Sequence, residues 1–199
     1  MEQLKNEKLT VEISSHGAEL QSIRNAEGRE YLWQGDEKYW PRRSPLLFPI
    51  VCGLWKDEYR VDGRTFNLPR HGFARDMDFE VVEKSDTSVT YTLESNAQTR
   101  EVYPYDFELD VTYILNDDNI NVIWSVKNTG KEEMHFQIGG HPAFNLPGVA
   151  EGDKIHGSIL FDNVEPLTRI IGNTGGCIKP ERYELKTDRQ VWNFDEESF

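Results

Sequence analysis

The sequence predicts an all-β fold, an antiparallel sandwich or barrel, on three observations. Apolar and polar residues alternate over several runs, the period of a half-buried strand. Short clusters rich in Asn, Asp, Ser and Gly separate those runs. Apolar residues nowhere recur clearly at i, i+3, i+4 and i+7, so the helical signal is weak. Many short strands with frequent turns fit packed antiparallel sheets.

The elements follow in chain order. Residues 9–13 and 19–23 form an opening strand pair around His16 and Gly17. Residues 36–40 make one short helical turn, because Pro41 disfavours helical geometry in the residue before it. Residues 59–61 and 64–68 flank Asp62-Gly63, and Asp-Gly suits a type I′ turn, so these runs form a hairpin. Residues 79–83 form a strand, Ser85-Asp86 turns it, and Val89, Tyr91 and Leu93 share a face of the next. Phe107, Leu109, Val111, Tyr113 and Leu115 share one face, and residues 116–119 make a turn. Ile120, Val122, Trp124 and Val126 share a face of the returning strand, giving the clearest hairpin, half-buried on both strands. A strand over 134–138 carries His135, and residues 191–199 read as the run-in to a further strand pair. No repeat, low-complexity tract or linker interrupts the chain, so residues 1–199 are expected to form one domain.

Composition narrows the function classes. The net charge of −13 disfavours nucleic acid and anionic membranes as partners. No apolar run is long enough for a membrane-spanning helix, and the charged N-terminus lacks a signal-peptide core. Cys52 and Cys177 read as free thiols in a reducing compartment, so a cytoplasmic location is expected. Against this acidic background, Arg42, Arg43, Arg70 and Arg75 cluster in two short segments. A basic pocket of that kind suits a polyol, a carboxylate or a phosphate.

Two of the five histidines stand out. His71 lies in Leu68-Pro69-Arg70-His71-Gly72-Phe73-Ala74-Arg75, and His141 in Gly139-Gly140-His141-Pro142-Ala143-Phe144-Asn145. Glycine and proline place each where regular structure gives way to a loop, a common seat for catalytic groups. His16, His135 and His156 have ordinary turn or strand settings and are read as structural. No His-x-His, His-x-x-x-His or Cys-x-x-Cys spacing occurs, so no metal is expected. No Gly-x-Ser-x-Gly is present, and nothing near Cys52 or Cys177 supplies a base. Acid–base chemistry by histidine remains, since its side chain titrates near neutrality. Trp33, Trp40, Phe48, Trp55 and Phe144 could stack on a sugar, although core packing accounts for most such aromatics.

These segments resemble the aldose 1-epimerase, or galactose mutarotase-like, superfamily, and within it the branch associated with lactose operons. The matching residues are Gly17-Ala18-Glu19-Leu20-Gln21-Ser22-Ile23 and Tyr31-Leu32-Trp33-Gln34-Gly35. Next come Trp40-Pro41-Arg42-Arg43-Ser44-Pro45-Leu46-Leu47-Phe48-Pro49 and Arg70-His71-Gly72-Phe73-Ala74-Arg75-Asp76. The histidine segment at 140–146 completes the set, in family order.

The resemblance implies a large antiparallel β-sandwich, the mutarotase supersandwich, incomplete at the C-terminus. It implies an isomerase that interconverts the α and β anomers of an aldose by acid–base ring opening. His141 matches the general acid, and His71 the histidine that binds sugar and polarises the ring oxygen. Arg43, with Arg42 or Arg75, matches the arginine contacts, Arg75 mattering most for a phosphorylated hexose. Phe144 and Asn145 belong to the same sugar-binding segment. The family's general base is a glutamate in a C-terminal strand beyond Phe199; Glu181, Glu184, Glu196 and Glu197 are candidates by residue type alone. The expected partner is a small sugar, with or without phosphate, and exposed sheet edges suit a homodimer. No cofactor is required. A non-catalytic carbohydrate-binding protein on the same fold is the alternative reading.

Overall fold

The computed structural model describes residues 1–194, except 147, 149–152, 155–156, 163–165 and 173–177. His156, Cys177, Glu196 and Glu197 therefore lie outside the described residues. The chain forms two compact units, Met1–Phe144 and Asn145–Phe199.

The first unit opens with β1 (Glu2–Lys5), β2 (Leu9–Ile13) and β3 (Leu20–Asn25) in one antiparallel sheet. Strand β1 was not foreseen, because its four residues hold a single buried side chain, Leu4, and show no alternation. A two-residue strand, β4 (Leu46–Leu47), follows, then a hairpin of β5 (Glu58–Val61) and β6 (Arg64–Asn67). Asp62 and Gly63 both take positive φ at its turn, as the Asp-Gly pair predicts. The second large sheet contains β7 (Glu80–Lys84), β8 (Ser88–Glu94), β9 (Phe107–Asn116) and β10 (Asn119–Asn128), ordered β10-β9-β8-β7. Strand β11 (Gly139–Gly140) pairs with β4.

The period-two pattern becomes a core. Along β9 every second side chain is buried, from Phe107 to Leu115, and β2 buries Leu9, Val11 and Ile13 likewise. The two sheets share one apolar cluster, in which each fully buried leucine or valine contributes about 1.5–3 kcal/mol. Two tyrosines fasten the layers: Tyr91 donates its hydroxyl to Ile13 O at 3.2 Å, and Tyr113 to Ala18 O at 2.7 Å. The fold is an all-β sandwich, as the pattern predicts.

Three departures have physical causes. A helix, α1 (Ala97–Val102), was not foreseen. It is held by a capping box between Asn96 and Thr99 and is too short to show a periodic stripe. The expected strand over 134–138 is absent. Its polar groups are taken elsewhere: Gln137 N–H donates to Pro49 O, Gln137 Oε1 accepts from Val51 N–H, and Tyr103 donates to His135 O. Strand β10 pairs in full register with β9, yet its apolar face stays open, with Val122 40% and Trp124 38% exposed.

The second unit contains two antiparallel pairs, β12 (Gly157–Leu160) with β15 (Val191–Phe194) and β13 (Thr168–Gly172) with β14 (Ile178–Glu184). Trp192 and Phe194 meet edge to face, their centroids 4.9 Å apart.

Candidate functional site

One short stretch, residues 45–49, gathers the two histidine segments. On one side β11 pairs with β4, Gly140 opposite Leu46 and Gly139 opposite Leu47. The N–H of His141, the next residue, donates to Pro45 O at 3.1 Å. On the other side Gly72 bridges Phe48 in parallel, and Phe48 O accepts from Phe73 and Ala74 N–H at 3.0 and 3.2 Å. The rings of His71 and His141 consequently lie 6.1 Å apart, centroid to centroid. A sugar ring is small enough to meet both.

Glycine is required at 72. Its φ is +70°, and a Cβ there would sit 2.2 Å from Phe48 O. His71 itself takes φ +69°, an uncommon conformation for a non-glycine residue. A reciprocal pair of bonds holds it there: His71 N–H donates to Cys52 O at 2.8 Å, and Cys52 N–H to His71 Nδ1 at 3.0 Å. An accepting Nδ1 places the neutral ring's proton on Nε2. Partial burial pushes the His71 pKa below its ordinary value, and Arg75, His141, Arg70 and Arg42 push it the same way. His71 is thus a neutral ring with one fixed donor.

His141 is exposed and leans on Trp40, ring centroids 5.0 Å apart. Trp40 is anchored in turn, its carbonyl accepting from Trp33 Nε1–H at 2.8 Å. Trp33, Tyr39, Trp40 and Ala143 line an apolar hollow of about 480 Å³.

The arginines divide into two groups. Arg42 Nη2 donates to Asp76 Oδ1 at 2.7 Å, and Arg75 Nη2 to Arg70 O at 2.8 Å. Arg75 Nε lies 3.5 Å from Asp76 Oδ2, an ion pair whose geometry falls short of a hydrogen bond. Burial first, and then Arg42, lower the Arg75 pKa from its ordinary value. These groups share the electrostatic surroundings of His71. Arg43 is bound by Gln21 Oε1 and by Gln34 O, and its buried Nε has no hydrogen-bond partner among the described residues.

The remaining sequence candidates are placed as follows. Phe144 is exposed and bridges Leu32, and it lines a different groove. Asn145 begins the second unit, and Glu181 and Glu184 are exposed on β14. Phe48 is fully buried and cannot stack on a ligand. His16 is tied by Nδ1 to Asp78 at 2.8 Å, a structural role. Among the described residues no three His, Cys, Asp or Glu are grouped to hold a metal ion, and no helix is long and apolar enough to cross a membrane.

Sequence reasoning missed Glu19. The residue is only 8% exposed, and its Oε1 accepts from the backbone N–H of Arg43 at 2.9 Å and of Ser44 at 2.7 Å. The available signal was a charge at the inward-facing start of a strand.

Known proteins resemble this chain in sequence and in fold. The family model described as aldose 1-epimerase matches residues 2–161. The chromosomal LacX protein of Lactococcus lactis subsp. lactis is 42% identical over 171 residues, covering 82% of this chain and 56% of that protein. A galactose mutarotase related enzyme from Lactobacillus acidophilus has a TM-score of 0.88 at 37% identity, covering 100% of this chain and 66% of that one. A galactose mutarotase-like protein from Lactobacillus casei reaches a TM-score of 0.92 at 34% identity, covering 99% and 68%. The chain thus spans little more than half the length of the curated relative and about two thirds of the solved ones.

Proposed function

Because the chain belongs to the aldose 1-epimerase family, we propose that it carries the acid and sugar-binding part of a mutarotase site, which interconverts aldose anomers. The observation that carries this reading is the pair of histidine rings 6.1 Å apart, one with its donor fixed.

The chemistry follows from those groups. His71 Nε2–H donates a hydrogen bond to a sugar oxygen next to the ring oxygen, and His141 gives its proton to the ring oxygen as the C1–O5 bond breaks. A base removes the C1 hydroxyl proton, so C1 becomes the aldehyde carbonyl. Rotation about C1–C2 and the reverse steps then close the ring on the other face. The base is a carboxylate supplied outside the His71–His141 pair. Trp40 offers an apolar face beside His141 for the ring carbons. Arg42 and Arg75 share one carboxylate, Asp76, and Arg42, Arg70 and Arg75 all act electrostatically on His71, a cationic surrounding that favours a hexose with an anionic substituent. Each charge-assisted bond to it would contribute about 1.5–3 kcal/mol.

Polarimetry on freshly dissolved α-glucose and α-galactose tests the reading. A working site gives mutarotation faster than buffer, and His141→Ala loses about 10²–10⁴-fold of the excess. An excess rate untouched by His141→Ala sinks the assignment. Calorimetry separates the binding-only alternative: sugar binding that His71→Ala and His141→Ala weaken, without anomer exchange, identifies a carbohydrate-binding protein. Comparing glucose with glucose 6-phosphate in the same experiment tests the arginine cluster.

A further inference from the structure

The aromatic hollow beside His141 has no part in the acid–base steps. Among the described residues its walls are three aromatic side chains, Trp33, Tyr39 and Trp40, with Ala143. It measures about 480 Å³, ample for one six-membered ring. It is built onto the histidine segment. Trp33 N–H donates to Ala143 O at 2.9 Å, two residues after His141. Tyr39 and Trp40 N–H both donate to Asp36 O, at 3.0 and 2.8 Å, which fixes the turn that carries the other two rings. Trp40 also stands against the His141 ring, so one indole serves both the histidine pair and the hollow. Core packing does not account for the cluster: Tyr39 is 70% exposed, and Trp33 and Trp40 are only half-buried.

We propose that this hollow is an aglycone subsite, which takes the aryl group of an aryl glycoside whose hexose lies at the histidine pair. The assignment rests on the reading of that pair as a sugar site. Two observations select an arene over a second sugar ring. The rings of Trp33 and Tyr39 form a corner, their centroids 6.3 Å apart and their planes at 74°. A flat arene can stack on one wall of such a corner and set its edge to the other, the two arrangements that aromatic pairs prefer. A pyranose can offer an apolar face to one wall, but its rim of hydroxyls then meets the second, where burial without a partner is costly. The indole donor that could meet a hydroxyl is already committed, since Trp33 Nε1–H donates to Trp40 O at 2.8 Å. The chemistry fixes the point of attachment. His141 serves the ring oxygen, which is bonded to C1 and C5. The arginines act on His71 and suit an anionic group on the C5 side, so C1 is the flank left for Trp40. An aryl glycoside has no C1 hydroxyl proton to lose. It therefore fills the site without ring opening and competes with the free sugar.

Calorimetry with phenyl and methyl glycosides tests it, using both anomers of the glucoside and the galactoside. The expected result is that at least one phenyl glycoside binds about ten-fold tighter than its methyl counterpart. Tyr39→Ala should bring that ratio below about three-fold, and Tyr39→Phe, which keeps the ring, should restore it. Tyr39 is largely exposed, so far-UV circular dichroism of both variants should match that of the parent. A ratio near one for every pair, or a raised ratio that Tyr39→Ala leaves intact, would overturn the inference. So would phenyl glycoside binding that His71→Ala and His141→Ala leave unchanged, since the hexose would then lie elsewhere. A ratio near one, with methyl glycoside binding still weakened by His71→Ala, removes the subsite and leaves the sugar site standing. Methyl glycoside binding indifferent to both histidine variants removes the sugar site, and the subsite with it.

Discussion

Removing the Glu19 carboxylate should loosen the candidate site without touching either histidine. Glu19 Oε1 accepts from two amides, Arg43 N–H and Ser44 N–H, and the residue is buried. Those amides begin the stretch that carries His141: Arg43 O accepts from Ala143 N–H at 2.9 Å and Pro45 O from His141 N–H at 3.1 Å. In Glu19→Ala both amides lose their acceptor. Each unsatisfied, partly buried donor costs about 1–3 kcal/mol; both sites are half-buried, so water recovers some of it and about 2–4 kcal/mol in total is expected. Glu19→Gln keeps one oxygen at the same place and should lose no more than about 1.5 kcal/mol. Urea unfolding followed by tryptophan fluorescence reads the stability, since Trp33, Trp40, Trp55 and Trp124 all lie in the first unit. Calorimetric sugar affinity reads the positioning, and Glu19→Gln should rescue it. If alanine costs less than 1 kcal/mol, or if glutamine is as damaging as alanine, the carboxylate does not hold this loop.

Three further outcomes follow from the geometry. Gly72→Ala should destabilise the first unit by more than about 2 kcal/mol in urea unfolding, because a left-handed residue costs roughly 1–2 kcal/mol and the new Cβ would also collide with Phe48 O. His71 has a pKa below 6.5 in the folded chain, so the unfolded chain takes up its proton first. Stability from this group is therefore complete above 6.5 and declines as the pH falls below it; His71→Asn should remove that slope, and an unchanged slope would show that the ring is not held neutral. Tyr113→Phe deletes the hydroxyl bond to Ala18 O across the sandwich and leaves that carbonyl short of a partner, for a loss of about 1–2 kcal/mol on the same unfolding curve.

Legibility from sequence followed the physics of each element. Strands β8 and β9 could be read residue by residue, because one face is buried and the other is wet, which writes a period of two into the chain. The β5–β6 hairpin could be read from Asp62-Gly63 because few pairs accept two positive φ values. Helix α1 and strand β1 left no such record: six and four residues are too few to display a period. At the site, His71 and His141 were legible as candidates from the glycines and prolines around them. Their division of labour with the arginines was not. Nothing in the sequence says that Arg43 turns to Gln21 and Gln34 while Arg42 and Arg75 share Asp76. Adjacent residues on an irregular loop carry no periodicity from which a direction can be read.

The stretch 45–49 explains why two motifs far apart in sequence lie side by side. Leu46 and Leu47 are buried and paired with Gly139 and Gly140, and Phe48 is fully buried beneath the His71 turn. The His141 backbone, and Phe73 and Ala74 just after His71, are therefore fixed by hydrogen bonds to a core-anchored stretch. Gly140 also packs against Trp124 of β10: a Cβ at 140 would meet that indole at 3.2 Å. The residue directly before His141 thus touches a side chain that lines the same groove as Phe144. Trp124→Ala removes that contact at the start of the His141 segment and should change His141 as well as β10. Imidazole signals of His141 in NMR spectra of the parent and of Trp124→Ala would report that coupling, with His16, paired with Asp78, as the internal reference. Equal shifts at both histidines, or none at His141, would show that the packing of Gly140 on Trp124 transmits nothing to the site.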